Sequence, residues 1–371
     1  MKVLQISTPF LPISHQLNYG GTERIVYLLD RELNKRCLSA GVVAPGDSKP
    51  ESELHPTIPI SIGVEDILDR GNKSKFSGLY SRLEHLGKAF SYINNEIDIV
   101  HLHDDNILPF IPYIGKPSLL TLHSDIDGFW GDKNKYIKEI NANLVAISQS
   151  QKEIYRAKGF NVEHVVYNGV DEDLFEFSEN KLNYLLTLGS IQPVKGQSSA
   201  IKIAKKSGLD LIIAGNIGAE EYFNKEIRPN ITHDLTREEN KLESYLSLPT
   251  KQHKIVYLGS VNDKQKAPLY SRAKAFLMPI EWEEPFGLVM VEAMMSGTPV
   301  IAFDRGSIPE IVKDGTGIIV PAGNLEQMAK AVRESEKIDS EECRRIAITN
   351  FGKEQMVDNY IKIYKEVLNN N

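Results

Sequence analysis

The segment EEPFGLVMVEAMMSGTPVIA, residues 283–302, places three glutamates around an apolar run. Pro285 suits a first helical turn, and Gly297 suits the left-handed residue just past a helix end. The spacing therefore predicts a short buried helix over 286–295, followed by a buried strand. An acidic pair and a proline stand directly before this apolar run, which raises the question of what binds there.

Two carboxylates could do chemistry around this predicted helix. Glu284 lies just before it, and Glu292 lies inside its apolar run, where a carboxylate costs free energy unless it is hydrogen-bonded. The unpaired N–H groups of a helix start favour an anion such as a phosphate, and Gly287 would let it approach the backbone. Carboxylates accept hydrogen bonds, so they suit the hydroxyls of two sugars on either side of that phosphate. The pattern predicts a nucleotide-sugar site; alternatively, Glu284 caps the helix and Glu292 pairs with a buried lysine or arginine.

The composition predicts a two-domain globular protein. The chain has 371 residues, of which 41% are hydrophobic and 25% charged, and this length is too great for one core. Its net charge of −7 argues against a nucleic-acid partner, which usually meets a basic surface. Cys37 and Cys343 lie far apart without the spacing of metal ligands, so a reducing compartment is expected.

Two further features of the sequence predict a cytoplasmic location. The chain starts with MKVLQI, which is typical of a strand rather than a signal peptide, and its sequence lacks an apolar run of about 18 residues. Peripheral contact with the inner face of a membrane is compatible with this. The amphipathic stretch 76–93 could touch anionic lipid, although a helix packed on a sheet is the preferred interpretation. Basic residues in or beside this stretch are Lys73, Lys75, Arg82 and Lys88.

Short apolar strands alternate with amphipathic helices, which is typical of doubly wound parallel sheets. Strands are predicted at 3–6, 39–43, 97–103, 118–122, 144–147, 184–188, 209–213, 254–258, 275–278 and 299–301. Because the alternation restarts after the polar segment 168–183, we predict two α/β domains, 1–175 and 176–352. A helix over 353–368 follows the second domain without a strand, and we expect it to pack on the first domain.

Ligands of open parallel sheets bind at the carboxyl ends of the strands, so the loops there carry the candidate residues. Gly20 and Gly21 follow the first strand and would allow close approach of an anion or a sugar at a helix start. The loop 189–196 has a glycine at each end and contains Lys195, which can neutralise a diphosphate or simply be a solvated helix-start residue. Gly215 opens another glycine loop, which lacks the G-x-G-x-x-G pattern of dinucleotide sites.

Histidines follow two of the predicted strands. His123 comes directly after 118–122, where it is either a structural residue or a ligand. His101 and His103 alternate along a strand and so point to one face, where they could meet a metal. Packing at a strand end is the preferred interpretation of this pair, and no metal is expected.

Taken together, these residues resemble a known family. The motif that starts at Glu284 and contains Glu292 is similar to the E-x7-E signature of the retaining glycosyltransferases of family 4, also called glycosyltransferase group 1. Other motifs occur in the family's order, namely GGTER at 20–24, TLH at 121–123, NGVD at 168–171, LG at 188–189 with KG at 195–196, RGSIPEI at 305–311 and MVDNY at 356–360. The resemblance covers nearly the whole chain and implies the GT-B fold, in which two Rossmann-like, doubly wound domains face each other across an active-site cleft.

The resemblance also implies a role for each motif residue. Glu292 would accept hydrogen bonds from the ribose, and Glu284 from the transferred sugar. His123 would lie at the sugar near its 6-position, and Lys195 would neutralise the leaving diphosphate, so Glu284, His123 and Lys195 are the predicted catalytic residues. Backbone and loop contacts to the donor are predicted at Phe286, Gly287, Leu288, Val289, Gly20, Gly21, Gly189, Ser190 and Gly215.

Ser190 departs from the family pattern, which commonly has an arginine at this position as a second cation on the diphosphate. An arginine is a bidentate donor that a serine cannot replace. The departure implies that Arg24, Arg305 or another cation substitutes, that the donor is held more weakly, or that the activity is altered.

The reaction that the resemblance implies is transfer of a hexosyl unit from a nucleoside diphosphate sugar to a glycan, a lipid-linked acceptor or a small molecule. A UDP-sugar is favoured over GDP-mannose, and retention by front-face attack is implied. Because a helix dipole and a lysine can stabilise a leaving diphosphate, the reaction is expected to need no metal. Two alternatives are a sugar-nucleotide epimerase of the same fold and a non-catalytic or regulatory sugar-nucleotide-binding protein, which Ser190 would favour.

Overall fold

The computed structural model describes residues 1–15, 20–63, 75–126, 140–249 and 253–370, without the side chains of 75–77. Lys73 and the side chain of Lys75, which belong to the predicted amphipathic stretch, lie outside the described residues. The chain divides into two compact units, one formed by 1–169 with 353–371 and the other by 170–352.

The division between the units differs from the predicted boundary at 175 and 176, because residues 170–175 belong to the second unit. The backbone N–H of Val170 donates to the carbonyl of Phe351 over 2.9 Å. The ring of Phe175 packs edge-on against Tyr270, with 6.1 Å between ring centroids. These contacts join residues 170–175 to other parts of the second unit.

Within the described residues, the first unit contains a seven-stranded parallel sheet in the order β3-β2-β1-β4-β5-β6-β7. Its strands are β1 Val3–Ile6, β2 Ser39–Ala44, β3 Leu54–Pro56, β4 Ile99–Leu102, β5 Ser118–Thr121, β6 Asn143–Ala146 and β7 Val162–Val165. Its helices are Gly21–Lys35, Lys75–Ser91, Gln149–Ala157 and Lys353–Asn369, with a 3₁₀ segment at Asp105–Tyr113.

The second unit has the same architecture, again with seven parallel strands in the described residues, in the order β10-β11-β9-β8-β12-β13-β14. Its strands are β8 Tyr184–Leu188, β9 Asp210–Ala214, β10 His233–Asp234, β11 Ile255–Tyr257, β12 Ala275–Met278, β13 Val300–Phe303 and β14 Gly317–Val320. Its α-helices are Gln197–Ser207, Glu220–Tyr222, Lys241–Leu246, Asp263–Arg272, Leu288–Met295, Ile308–Ile311, Leu325–Glu334 and Ser340–Phe351. The unit also contains a π-helical turn, Phe223–Ile227. Its short 3₁₀ turns are Glu172–Leu174, Pro193–Lys195, Arg228–Asn230 and Ser335–Lys337.

Helix Lys353–Asn369 belongs to the first unit although it follows the second in sequence. Tyr360 and Tyr364 are fully buried, and their hydroxyls lie 3.0 Å from Thr121 Oγ1 and 2.7 Å from His101 Nδ1, respectively. Two strands of the first sheet therefore complete their polar contacts only with residues from the end of the chain.

The edge strands of both sheets, β3, β7, β10 and β14, are absent from the sequence-based predictions. Each is two to four residues long and has at most one buried residue. Three of them, β3, β7 and β10, contain polar or charged residues and so have no continuous apolar run, while β14 is apolar but only four residues long. The interior strands, which are apolar on both faces, match the predictions in place.

Helix Lys75–Ser91 packs on the first sheet through Leu86 and Ala89, which are part of a hydrophobic cluster with Val100 and Leu102 of β4. Nearer its start, the same helix exposes apolar side chains at Leu79, Tyr80 and Leu83. Of the helices in the described ranges, none combines the length and the apolar character needed to cross a bilayer.

The close packing around Gly215 leads to a prediction about the stability of the second unit. Gly215 has φ 145°, and a Cβ there would lie 1.9 Å from the carbonyl oxygen of Gly189. We expect Gly215→Ala to lower the free energy of unfolding by about 3 kcal/mol or more, because backbone must move to make room. Gly208, with φ 69° and no atom within 4 Å of an added Cβ, is the control, and Gly208→Ala should cost only about 1 kcal/mol.

The measurement is urea unfolding of both variants and the unsubstituted protein, followed by circular dichroism. Equal destabilisation by the two substitutions would contradict the role of this close backbone contact.

Candidate active site

The helix predicted over 286–295 begins later, at Leu288, and ends at Met295. Gly287 precedes it in the left-handed conformation, with φ 85° and ψ 63°, and its carbonyl accepts from the N–H of Met290 over 3.0 Å. The backbone N–H groups of Gly287, Leu288 and Val289 meet no acceptor among the described residues. Such groups, with the positive end of the helix dipole, form an anion site.

Phe286 lies outside this helix and anchors the turn before it. Its side chain is 2% exposed, and its ring packs edge-on against Phe351 at 6.0 Å between centroids. Its carbonyl accepts a hydrogen bond from Ser307 Oγ over 2.9 Å. The turn is therefore fixed on both sides of the left-handed glycine.

Glu284 is buried at this helix start, with 8% of the residue exposed. Its Oε2 accepts hydrogen bonds from Lys195 Nζ over 2.9 Å and from Trp282 Nε1 over 3.0 Å. The same ammonium lies 4.2 Å from the centroid of the Trp282 ring, which adds a cation–π contact. Two of the predicted catalytic residues, Glu284 and Lys195, are therefore in direct contact.

The loop after β13 holds Glu284 in place. Gly306 has φ 53°, and a Cβ at this residue would lie 2.4 Å from the backbone nitrogen of Glu284. The N–H of Ser307 donates to the carbonyl of Glu284 over 2.9 Å. Arg305, one of the cations proposed to replace an arginine at position 190, lies 3.1 Å from the Glu283 carboxylate.

Glu292 forms a buried ion pair in the structure. Its Oε1 lies 2.5 Å from Lys266 Nζ, and its Oε2 accepts from the hydroxyl of Tyr270 over 3.0 Å. Both charged side chains are less than 10% exposed. Pairing of Glu292 with a core cation, the alternative noted for the sequence, is thus present, and a carboxylate retains further acceptor positions for a ligand hydroxyl.

The glycine loops of the second unit surround the Lys195 turn. Lys195 ends a 3₁₀ turn, Pro193–Lys195, and Gly196 follows at φ 71°, where a Cβ would lie 1.9 Å from the carbonyl oxygen of Pro279. Gly189 donates its N–H to Ala214 over 3.0 Å, directly before Gly215. Only glycine fits these close backbone approaches.

Ser190, which follows Gly189, is held by two glutamine side chains. Its hydroxyl accepts from Gln192 Nε2 over 3.1 Å, and its carbonyl accepts from Gln197 Nε2 over 3.0 Å. The structure therefore gives Ser190 a local role in shaping the loop.

The second unit brings its candidate residues to one edge of its sheet. Gly189 follows β8, Gly215 follows β9, Glu284 follows β12 and Arg305 follows β13. In a parallel sheet these carboxyl ends lie side by side, which is where open α/β sheets bind ligands.

Gly20 and Gly21 lie in the first unit, at the start of helix Gly21–Lys35. Gly20 has φ 119°, and a Cβ there would lie 2.7 Å from Oε2 of Glu23. Glu23 is buried and its Oε1 accepts from Thr8 Oγ1 over 2.9 Å, while burial raises the pKa of its carboxyl. Gly20 thus allows a buried carboxyl to lie against the backbone at this helix start.

His123 belongs to a cluster of histidines in the first unit. Its Nε2 lies 3.0 Å from Nδ1 of His103, and His103 Nε2 lies 3.1 Å from Oε1 of Gln5. Burial lowers the pKa of His123 to about 3 and the pKa of His103 well below its ordinary value. His101 stacks on His103 at 4.0 Å and bonds through both ring nitrogens to Tyr364 and Thr121. Across the described residues, no three side chains of metal-ligating type form a group that could hold an ion.

Five of the residues that shape these sites are missing from the sequence-based predictions. Gln5 carries a readable signal, since it is the one polar residue in the strand VLQI and is fully buried. The other four sit in sequence contexts typical of surface helices and loops, and their role follows only from the fold. They are Trp282, Lys266, Tyr270 and Asp105.

Asp105 is a buried carboxyl at the end of β4 in the first unit. Burial, and second the nearby charge of Asp104, raise its pKa to about 7, while Ser124 opposes the shift. Its side chain is therefore largely protonated just below neutral pH and can act as a donor there.

The two parallel-sheet units, with candidate residues gathered at the carboxyl edge of the second sheet, define an α/β class of protein, and comparison with known proteins identifies the family. The model for "Glycosyl transferases group 1" matches residues 170–352, and the model for "Glycosyltransferase Family 4" matches 19–174. The chain belongs to the group 1 glycosyltransferases of family 4 and has their GT-B fold of two Rossmann-like units. It is a glycosyltransferase.

Individual proteins are also similar to this chain, at low sequence identity. A protein in the cps region of Klebsiella pneumoniae is 27% identical over 73% of this chain and 79% of its own length. The phosphatidyl-myo-inositol mannosyltransferase of Mycobacterium leprae is 24% identical over 84% of this chain and 83% of its own. The crystal structure of Anabaena HepE in complex with UDP-glucose superposes with a TM-score of 0.68 at 18% identity, covering 99% of this chain and 100% of that one.

The buried pair of Glu292 and Lys266 predicts a large effect on stability. Glu292→Ala leaves the buried ammonium of Lys266 with Asp263, 3.0 Å away, as its remaining ionic partner, so we expect a loss of about 3 kcal/mol in the free energy of unfolding, the lower end for a broken buried pair. The double variant Glu292→Leu with Lys266→Met removes both of these charges and should recover much of that loss, because Asp263, which then lacks the ammonium, has a partly exposed side chain. Glu221→Ala, which breaks an exposed pair with Lys225, is the control and should cost less than about 1 kcal/mol.

Urea unfolding of these variants gives the comparison directly. A double variant as unstable as Glu292→Ala would contradict the view that an unpaired buried charge causes the loss.

The raised pKa of Asp105 predicts a pH-dependent effect. Because the folded state holds this proton up to about pH 7 and the unfolded state releases it near the ordinary value of 3.8, the carboxyl destabilises the fold progressively as pH rises from 4 to 7. The upper limit above pH 7 is on the order of 4 kcal/mol. Asp105→Asn should therefore raise the melting temperature much more at pH 8 than at pH 4.5. Asp314→Asn, at an exposed site, is the control and should change the melting temperature little at either pH.

Proposed function

We propose that the chain is a retaining hexosyltransferase that uses a nucleoside diphosphate sugar, with a UDP-sugar as donor, and that it needs no metal. The observation that carries this proposal is the contact between Lys195 and Glu284 at the start of helix Leu288–Met295. One cation, one carboxylate and three backbone N–H groups are gathered there. They match the parts of a donor, which has an anionic diphosphate next to a sugar rich in hydroxyls.

The leaving group explains why this arrangement would act in catalysis. Cleavage of the anomeric C–O bond leaves negative charge on the nucleoside diphosphate, and fixed donors aimed at that charge lower the barrier. The N–H groups of Gly287, Leu288 and Val289 and the ammonium of Lys195 are such donors. In the proposed front-face mechanism, the departing phosphate oxygen takes the proton of the acceptor hydroxyl, so no general base from the protein is required.

When the donor binds, Lys195 and Glu284 would exchange part of their contact with each other for contacts with the donor. The Lys195 side chain is 27% exposed, so its ammonium can turn toward a phosphate at small desolvation cost. The Glu284 carboxylate, still bonded to Trp282, would then accept from hydroxyls of the transferred sugar. Glu292 would accept from the ribose in addition to its bonds with Lys266 and Tyr270.

The choice of a UDP-sugar is supported by the HepE structure, which contains UDP-glucose and has the same fold. The relative from Mycobacterium leprae is a mannosyltransferase, which makes GDP-mannose the donor to test beside UDP-sugars. Ser190 leaves Lys195 as the cation at the glycine loop, and weak donor binding is the expected consequence.

A donor panel tests the proposal. The protein is incubated with UDP-glucose, UDP-galactose, UDP-N-acetylglucosamine and GDP-mannose, with and without chelator, and release of nucleoside diphosphate is measured. We expect release from a UDP-sugar that chelator leaves unchanged. A metal requirement, or binding of the donors without any release, would contradict the proposal; the second result would instead favour a non-catalytic binder.

Lys195→Met should lower turnover by about 10²–10³-fold, because one charged donor to the leaving group is lost. Lys202→Met is the matched control, since Lys202 is an exposed lysine on the next helix, Gln197–Ser207. Turnover is measured at saturating donor. Equal activity of the two variants would remove Lys195 from the proposed mechanism.

A further inference from the structure

Trp282 contacts Glu284 and Lys195, two of the predicted catalytic residues, through different parts of its side chain. Its Nε1–H donates to Oε2 of Glu284 over 3.0 Å, and the ammonium of Lys195 lies 4.2 Å from the centroid of its ring. The same ammonium donates to Glu284 Oε2 over 2.9 Å. Each of the three side chains therefore contacts the other two, and all three belong to the second unit.

Both donors meet at one oxygen of the carboxylate. Oε2 of Glu284 accepts from the indole and from the ammonium, whereas its Oε1 accepts from no group in the parts of the chain that the structure describes. A carboxylate held at one oxygen presents the other in a fixed direction, and that second oxygen retains its acceptor positions. The internal contacts thus orient Glu284 and leave Oε1 for a ligand hydroxyl.

A diphosphate would compete with Glu284 for the ammonium of Lys195. The Glu284 side chain is 10% exposed, and a carboxylate with so little access to water loses free energy when one of its hydrogen-bond donors leaves. The indole of Trp282 is uncharged, so a diphosphate attracts it far less than it attracts the ammonium. The indole N–H is therefore the donor that can remain on Oε2 after Lys195 has moved.

We infer that Trp282 is a positioning residue whose N–H holds Oε2 of Glu284 in place while Lys195 leaves the carboxylate to bind a diphosphate. The inference rests on the proposed function for its ligand, a nucleoside diphosphate. Trp282 acts on that ligand through Glu284 and Lys195. Without the indole N–H, binding of the diphosphate removes the last internal donor from the carboxylate, so the cost of separating the ion pair appears in the affinity for the nucleotide.

The second unit has a similar cluster at the opposite end of its sheet, and this cluster supplies a control. Asp210, the first residue of β9, accepts from the hydroxyl of Tyr245 over 2.9 Å, and its carboxylate lies 2.9 Å from Lys254 Nζ. The ammonium of Lys254 lies 5.7 Å from the centroid of the Tyr245 ring. Open parallel sheets bind ligands at the carboxyl ends of their strands, so Tyr245→Phe removes a comparable donor outside the candidate site.

The first test examines the hydrogen bond of the indole and needs no ligand. The two tryptophans of the sequence are labelled with ¹⁵N at their indole nitrogens, and Trp282→Phe identifies which NMR signal belongs to Trp282. We expect its N–H to exchange slowly with water, and its signal to move upfield in Glu284→Ala, which removes the acceptor. Exchange as fast as that of free tryptophan would overturn the inference even if Glu284→Ala fails to fold.

The second test measures whether Trp282 acts through Glu284. Affinities for UDP and for GDP are determined by titration calorimetry, with circular dichroism as the check on folding. Trp282→Phe keeps an aromatic ring beside Lys195 and removes the N–H, so we expect it to weaken nucleotide binding about tenfold, the effect of one hydrogen bond. In a protein that already carries Glu284→Ala, the same substitution should weaken binding less than about twofold, because the partner is absent. Tyr245→Phe, at a distant site, should also change the affinity less than about twofold.

The outcomes separate the inference from the proposed function. Equal weakening by Trp282→Phe with and without Glu284, or no weakening at all, would contradict the inference while the nucleotide site stands. If the unsubstituted protein binds neither UDP nor GDP, the proposed donor class is wrong, and the role of Trp282 in nucleotide binding is wrong with it. The NMR result then still shows whether the indole holds Glu284.

Discussion

The ion pair between Lys195 and Glu284 is the interaction on which the candidate active site depends. It joins the loop after β8 to the loop after β12, and it places a positive and a negative group within reach of the same helix start. Burial of the carboxylate is compensated by the ammonium, by the indole N–H and by the partial positive charge of the helix end. The pair also depends on Gly306, since any larger residue there would displace the backbone of Glu284.

The two glutamates of one short motif lie in different physical surroundings. Glu284 has a partly exposed partner in Lys195, while Glu292 has a buried partner in Lys266. Separating the first pair exposes an ammonium that water can solvate, whereas separating the second leaves a charge in the core. Ligand exchange is therefore inexpensive at Glu284, and at Glu292 the pair fixes the packing of helices Asp263–Arg272 and Leu288–Met295.

Much of the fold follows from local sequence. The interior strands are apolar on both faces, and the turn at Gly287 follows from a glycine in front of an apolar helix. The edge strands do not follow, because half of each faces away from any core. The partners of Glu292 and His103 do not follow either. Lys266 lies on another helix and Gln5 on another strand, so only the order of strands brings them into contact. The family resemblance predicts which residues form the site, but it gives no information on how they pair.

The route of the chain has a consequence for biosynthesis. Residues 170–352 form their unit from one continuous segment, whereas the other unit needs both 1–169 and helix Lys353–Asn369. During translation Thr121 and His101 lack their tyrosine partners until residues 360 and 364, near the end of the chain, have been made. The N-terminal sheet is therefore complete only after helix Lys353–Asn369 has been added, whereas residues 170–352 contain every segment of their own unit.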